Sequence, residues 1–203
     1  MVKHLKQAVL ATITLTLLLG LGYPLAMTGL AQLLFPRQAH GSLLSRDGHV
    51  IGSELIGQNF SGAGFFHGRP SATTDTDPAD PSKTVAAPYN AAASGASNAA
   101  PSAKALAADV TARINILRAE NPDVAGPVPV DLVTASASGL DPHISLAAAL
   151  YQVPRVAAAR SIAAGDLVAL VQQTSEGRSL GLFGEPRVNV LRLNLALEQV
   201  PPK

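Results

Sequence analysis

The chain has 203 residues with 15 Lys and Arg against 14 Asp and Glu, a net charge of +1, so it lacks the basic excess that grips nucleic acid or anionic lipid. Cysteine is absent, which excludes disulfides, thiolate catalysis and cysteine-ligated metals. With no Trp, three Tyr and five Phe, small aliphatic side chains must fill the core, and the many Ala residues point to closely packed helices.

In chain order, a basic tail with Lys3, His4 and Lys6 precedes Gln7 to Pro36, which carries no charge at all. A hydrocarbon core of about 30 Å needs about 20 apolar residues, and residues 8–35 supply them, so they read as one transmembrane helix. A cleaved signal peptide has an apolar core of only about 7–15 residues; despite the small residues at Gly29-Leu30-Ala31, the longer stretch reads as an anchor. Lys and Arg mark the cytoplasmic end of a span, so residues 1–7 form a cytoplasmic tail and residues 36–203 one extracytoplasmic domain. Within the span, Gly20, Gly22 and Pro24 are tolerated if neighbours satisfy the backbone, and the glycines would let a second helix approach closely. Composition drift explains them equally well.

After the span, Asp47-Gly48 between two apolar runs predicts a hairpin, with strands at Ser42–Arg46 and His49–Leu55. Residues 58–98 are rich in Gly, Pro, Ser, Thr, Asn and Asp and read as loop, and a connection that long inside a compact domain is usually functional, partner-bound or disordered. Thr73–Ala87 reads as a solvated insertion. Leu106, Val110, Ile114 and Leu117 share one helical face, in a helix capped by Ser102 and stopped at Asn121-Pro122. Val128–Thr134 reads as a strand, and Ala135–Asp141 as a polar turn. Ser145 opens a helix that meets Pro154, which either kinks it or begins a second helix to Arg160. Another helix carries Leu167, Leu170 and Val171, Pro186–Leu193 alternates as a strand, and Asn194 caps a last helix to Val200. Strands and helices mix without a βαβ repeat, so the fold class is α+β behind a single transmembrane helix.

Chemistry is sparse along this pattern. No phosphate-cradling glycine loop is present, so the chain should not hydrolyse ATP alone. His40, His49, His67 and His143 lack the spacing that places two nitrogens on one ion and read as surface or hydrogen-bonded side chains. Ser136 and Ser138, with Asp141 and His143, hold the residue types of a serine hydrolase triad, yet neighbours within one turn rarely assemble one. Hydroxyls and Asp141 capping the following helix are the simpler reading. The segment Gln58–Ala72 sets Gln58, Asn59, His67 and Arg69 among Phe60, Phe65 and Phe66, the pairing of aromatics with Arg that interface hot spots use. The alternative is that the phenylalanines nail a loop to the core. A membrane-anchored module binding an extracytoplasmic solute is a further reading of the whole.

The order of the motifs narrows these readings. Y-P-L at Tyr23, G-S-x-L-I-G-Q-N-F from Gly52, F-H-G-R-P-S-A from Phe66, Y-N at Tyr89, A-S-G-x-S-N from Ala93, P-V-x-L-V-T-A-S-A-S-G-L-D from Pro129, Q-V-P-R-V-A from Gln152 and V-N-V-L-x-L-N from Val188 run through nearly the whole chain. Together they resemble the KdpC family, the C subunits of the bacterial potassium-transporting P-type ATPase. Ala96 departs from a second glycine common in the family, and Thr73–Ala87 is longer than in shorter members. The resemblance implies an accessory, non-catalytic subunit of the inner membrane. Its partners would be KdpA, KdpB and a small KdpF-like subunit, and the complex rather than this chain would handle ATP, Mg and potassium. It also implies a catalytic chaperone that raises the ATP affinity of KdpB, with the serine-rich turn likened to an ABC-type signature. Gln58, Asn59, Phe60, Phe66, His67, Arg69, Ser136, Ser138 and Asp141 are then the expected partner-binding residues, and Gly20, Gly22 and Pro24 the expected membrane-helix packing face. Because ATP is cytoplasmic and the turn is expected outside, an effect on ATP affinity is expected to be indirect.

Overall fold

The structure, a computed structural model, describes residues 2–201 and is mixed helix and sheet. It divides into two compact units between Ser53 and Glu54.

The first unit begins with helical segments α1 (Val2–Leu15) and α2 (Tyr23–Leu34), joined by a π-helical turn over Thr16–Gly22. The 33 residues Val2–Leu34 are long and apolar enough to cross a membrane, about 50 Å at the helical rise. Their helical start precedes residue 8 by most of two turns. Proline in a helix removes one N–H and its ring crowds the carbonyl four residues back. Here the backbone widens by one residue just before Pro24, and the Tyr23 N–H reaches the Leu18 carbonyl, five residues back. Pro24 then falls in the first turn of α2, and the wider π turn before it lies where the proline ring would crowd the carbonyl four residues back. A short helix α3 (Pro36–Ala39) leads to strands β1 (Leu43–Arg46) and β2 (His49–Ser53), paired antiparallel. Asp47 and Gly48 at the turn have φ of 51° and 79°, the positive values that the Asp-Gly signal anticipates.

In the second unit, the solvated insertion expected at Thr73–Ala87 is largely exposed but is not loop throughout: β3 (Thr74–Thr76) and β4 (Thr84–Ala86) form a small exposed hairpin. Helix α4 (Lys104–Glu120) follows, with Leu117 buried and Leu106, Val110 and Ile114 half-buried on the anticipated face. Its N-cap is Ala103, with no side-chain hydrogen bond, so Ser102 does not cap it. The expected strand at Val128–Thr134 is a 3-10 turn over Val130–Leu132 instead. Pro127 and Pro129 cannot donate to a sheet, and Thr134 closes the turn by donating both N–H and hydroxyl to the Val130 carbonyl.

Strand β5 (His143–Ser145) enters helix α5 (Leu146–Arg160), and α6 (Ala164–Thr174) runs into β6 (Ser175–Glu176). Strand β7 (Arg187–Asn189) lies between β5 and β6, antiparallel to both, and continues directly into α7 (Val190–Leu197). The expected strand at Pro186–Leu193 therefore stops at Asn189. Val190, Leu193 and Leu197 recur at helical spacing and are buried, and the Asn189 carboxamide accepts from the Arg192 N–H, so Asn189 rather than Asn194 is the cap. Ser145 caps α5 as expected, accepting from the Ala148 N–H at 3.0 Å.

Helix α5 runs through Pro154 as one helix. Losing a helical bond there costs about 3 kcal/mol in an isolated helix, and burial of Ala148, Ala149, Val153 and Val156 against the core offsets it. Ala148 and Ala149 have no exposed surface, which fits the closely packed helices anticipated from composition.

Candidate functional site

The segment 58–72 has few backbone partners of its own, and a buried backbone group left unpaired is expensive. Helices α5 and α7 supply the partners. The Phe66 N–H donates to Asn194 Oδ1 and Asn194 Nδ2 donates to the Phe66 carbonyl, both at 2.9 Å. The Gln152 carboxamide does the same for His67, accepting from its N–H at 2.7 Å and donating to its carbonyl at 3.1 Å. Each carboxamide thus replaces one peptide group of a neighbouring strand. Arg155 donates to the Ala63 carbonyl and to Gln152 Oε1, and Arg160 donates to the Gly64 carbonyl while its guanidinium stacks 4.6 Å over the Phe65 ring. Phe66 itself is fully buried.

C-terminal to this clamp, the segment meets the serine-rich turn. Arg69 pairs with Asp141 at 3.2 Å and reaches the carbonyls of Thr134 and Ala135. The Ser71 hydroxyl donates to the Gly139 carbonyl at 2.7 Å, and Ser94 and Gly95 both donate to the Ser138 carbonyl. Gly139 has φ of 69°, and a Cβ there would lie 2.5 Å from the Thr73 methyl and 2.7 Å from the Gly95 carbonyl, so only glycine fits. Tyr89 lies against Gly68, where a Cβ would strike its hydroxyl, and that hydroxyl donates to the Arg69 carbonyl at 2.7 Å.

Electrostatics follows burial. The Tyr89 phenol is pushed up to about 12 by desolvation and by the Asp141 charge, so it stays a neutral donor. Burial pushes the Asp141 carboxyl up, but hydrogen bonds from His143 and the Arg69 charge outweigh it and hold the group below the usual carboxylate value. His67 is lowered by desolvation and by Arg155; Glu120, 3.8 Å from its Nδ1, does not overcome them, and the ring is neutral at pH 7.

A cleft of about 380 Å³ opens on this arrangement, lined by Asn59, Phe60, His67, Arg69, Tyr89 and Arg113 among others. Of the residues anticipated from sequence, Asn59, Phe60, His67 and Arg69 meet at this cleft, Phe60 also packing 5.7 Å from Phe65. Phe66 and Ser136 are buried, and Gln58 is half-buried. Ser138 accepts from the Leu140 N–H, and Asp141 accepts from the His143 N–H, so these two residues close the turn and do not cap a helix. His143 turns one ring nitrogen to Asp141 at 3.6 Å and the other to Glu176 at 3.9 Å, leaving neither for a serine. The hydrolase geometry is not assembled.

Sequence reading missed Tyr89, Gln152, Arg155 and, as a clamp, Asn194. The available signal was a carboxamide or guanidinium amid aliphatic helix positions, since such a group is buried only with partners.

Comparison with known proteins places the chain in a family. Residues 5–199 match the family described as KdpC, the c chain of K+-transporting ATPase. The potassium-transporting ATPase KdpC subunit of Methylobacterium nodulans is 61% identical over all 203 residues, covering both chains completely. Those of Rhodopseudomonas palustris and Bradyrhizobium diazoefficiens are each 57% identical over the same complete length. The chain belongs to the KdpC family.

Proposed function

We propose that this chain is the membrane-anchored accessory subunit of an ATP-driven potassium uptake complex, with no catalytic site of its own. Identity across the complete length of proteins named as KdpC subunits is the observation that carries this reading. The helix Val2–Leu34 anchors the chain in the inner membrane with its basic end in the cytoplasm and the second unit outside. Gly20 and Gly22 would give a Cβ only ordinary contacts, at 3.8 and 3.6 Å, within their own helix. Their small size is therefore not required locally and leaves a notch where a helix of another subunit can pack.

The partners are the KdpA, KdpB and small KdpF-like subunits, and docking uses the rim of the cleft formed by Asn59, Phe60, His67 and Arg69, with Gln58 next to it along the chain. Phe66, Ser136, Ser138 and Asp141 contribute by holding that rim in shape. ATP, Mg and potassium are handled by the complex, and any rise in the ATP affinity of KdpB is transmitted through assembly. An indirect effect is favoured because the carbonyls of Ser138 and Gly139 and the Asp141 carboxylate are already engaged by Ser94, Ser71 and Arg69.

Purifying the complex from cells lacking this chain is the test. The remaining subunits should dissociate or lose potassium-stimulated ATP hydrolysis, and growth at low potassium should fail. Normal assembly and pumping without the chain would end this reading.

A further inference from the structure

Most exposed apolar side chains of the second unit, such as Leu55 and Ile116, stand singly and need no explanation. The segment Arg178–Glu185 differs. Leu180, Leu182 and Phe183 are 93%, 69% and 63% exposed, three large apolar side chains within four residues.

The segment is not a loose loop. Ser179 and Phe183 exchange backbone hydrogen bonds at 2.8 and 2.9 Å, the Gly181 N–H donates to the Arg178 carbonyl, and the Leu182 N–H donates to the Ser179 carbonyl. At the base, one Arg178 nitrogen reaches both Glu185 carboxylate oxygens at 2.8 Å. Leu180 also holds φ of 55°, between Gly181 at 72° and the turn's start. A leucine in the left-handed region carries backbone strain that Gly or Asn would relieve, and at 93% exposure its side chain gains no burial to offset that strain. Uncompensated strain at one residue of a closed turn marks a side chain kept for something outside the chain.

We propose that the tip Leu180–Phe183 is a preformed plug that inserts into an apolar socket on another subunit of the potassium-transporting ATPase. This rests on the reading of the chain as a subunit of that complex. Its order in the free chain reduces the entropy lost on docking, and aromatic and aliphatic anchors seated in a pocket dominate interface affinity. A lipid surface is the rival occupant, and charge argues against it. Arg178 pairs with Glu185, Arg187 with Glu176 at 3.1 Å, and Arg192 with Glu54 at 2.9 Å. Among the described residues these three arginines near the tip's base are each matched by a carboxylate, leaving them no excess positive charge to draw the tip to anionic headgroups.

The experiment uses the assembled complex. A photoreactive benzoylphenylalanine at position 183 should crosslink to another subunit. An adduct to lipid alone, to a second copy of this chain, or no adduct would overturn the proposal. In parallel, the double variant Leu180→Asn, Phe183→Ser should leave the isolated full chain at least as resistant to thermal unfolding as wild type, because Asn relieves the strain at position 180, and weaken its retention in the complex at least about tenfold. Retention equal to wild type would also overturn it. If wild-type chain fails to co-purify with the other subunits, the subunit reading itself fails; if wild type is retained and the variant equally so, only the plug fails.

Discussion

His67 shows how a single side chain is tuned by where the chain places it. Its Nε2 lies 3.0 Å from the Gly62 carbonyl, and its surroundings combine desolvation with the Arg155 charge, so the folded state resists protonation. In the unfolded chain the ring titrates at about 6.5. The unfolded state therefore binds more protons between the lowered folded value and about 6.5, and stability rises with pH across that window. Above it His67 makes stability no more pH-dependent. As pH falls below about 6.5, wild-type chain in detergent should lose stability faster than His67→Gln, by up to about 1.4 kcal/mol per pH unit, while above about 7.5 the two should run parallel. Urea unfolding at several pH values checks this, and curves that stay parallel below about 6.5 would sink it. Sequence singled out His67 as a candidate but not its charge state, because Arg155 is 88 positions away and its approach is a product of packing.

At the scale of elements, helices α5 and α7 act as edge strands for a segment that has none. Asn194 is 2% exposed and satisfies both backbone groups of Phe66. Asn194→Ala would leave a buried N–H and a buried carbonyl unpaired, each worth about 1–3 kcal/mol, so a loss of about 3–5 kcal/mol is expected in chemical unfolding. A loss below about 1 kcal/mol would show that the clamp is not needed. The hairpin at Asp47-Gly48, helix α4 and the Ser145 cap were legible because each is local, set by turn chemistry or by a period within one element. Residues 186–197 were not, since Arg187-Val188-Asn189-Val190 alternates like a strand while Val190, Leu193 and Leu197 follow helical spacing, so the two patterns overlap. The Asn189 cap and the three-stranded pairing decide between them. Val128–Thr134 misled for another reason: its β-branched residues suit a strand, but Pro129 cannot donate in one.

For the whole molecule, the open prediction is sidedness. The chain has no Cys, so a single cysteine reports position without background. Lys83→Cys lies beside the exposed β3–β4 hairpin and should react with a membrane-impermeant maleimide on intact cells, while Lys3→Cys should react only after the membrane is opened. The reverse pattern would place the second unit beside cytoplasmic ATP and return direct nucleotide contact to consideration.

The uncharged helix, the absence of cysteine and nucleotide motifs, the α+β class and the family pattern were determined by the sequence itself, because composition, period and motif order need no knowledge of contacts. Tertiary structure alone decided that Phe66 is an internal anchor, that Asn194 and Gln152 hold the segment around it, and that Asp141 serves Arg69 and His143 instead of a serine. Those roles depend on residues up to 128 positions apart meeting at hydrogen-bond distance, which only the packed core enforces.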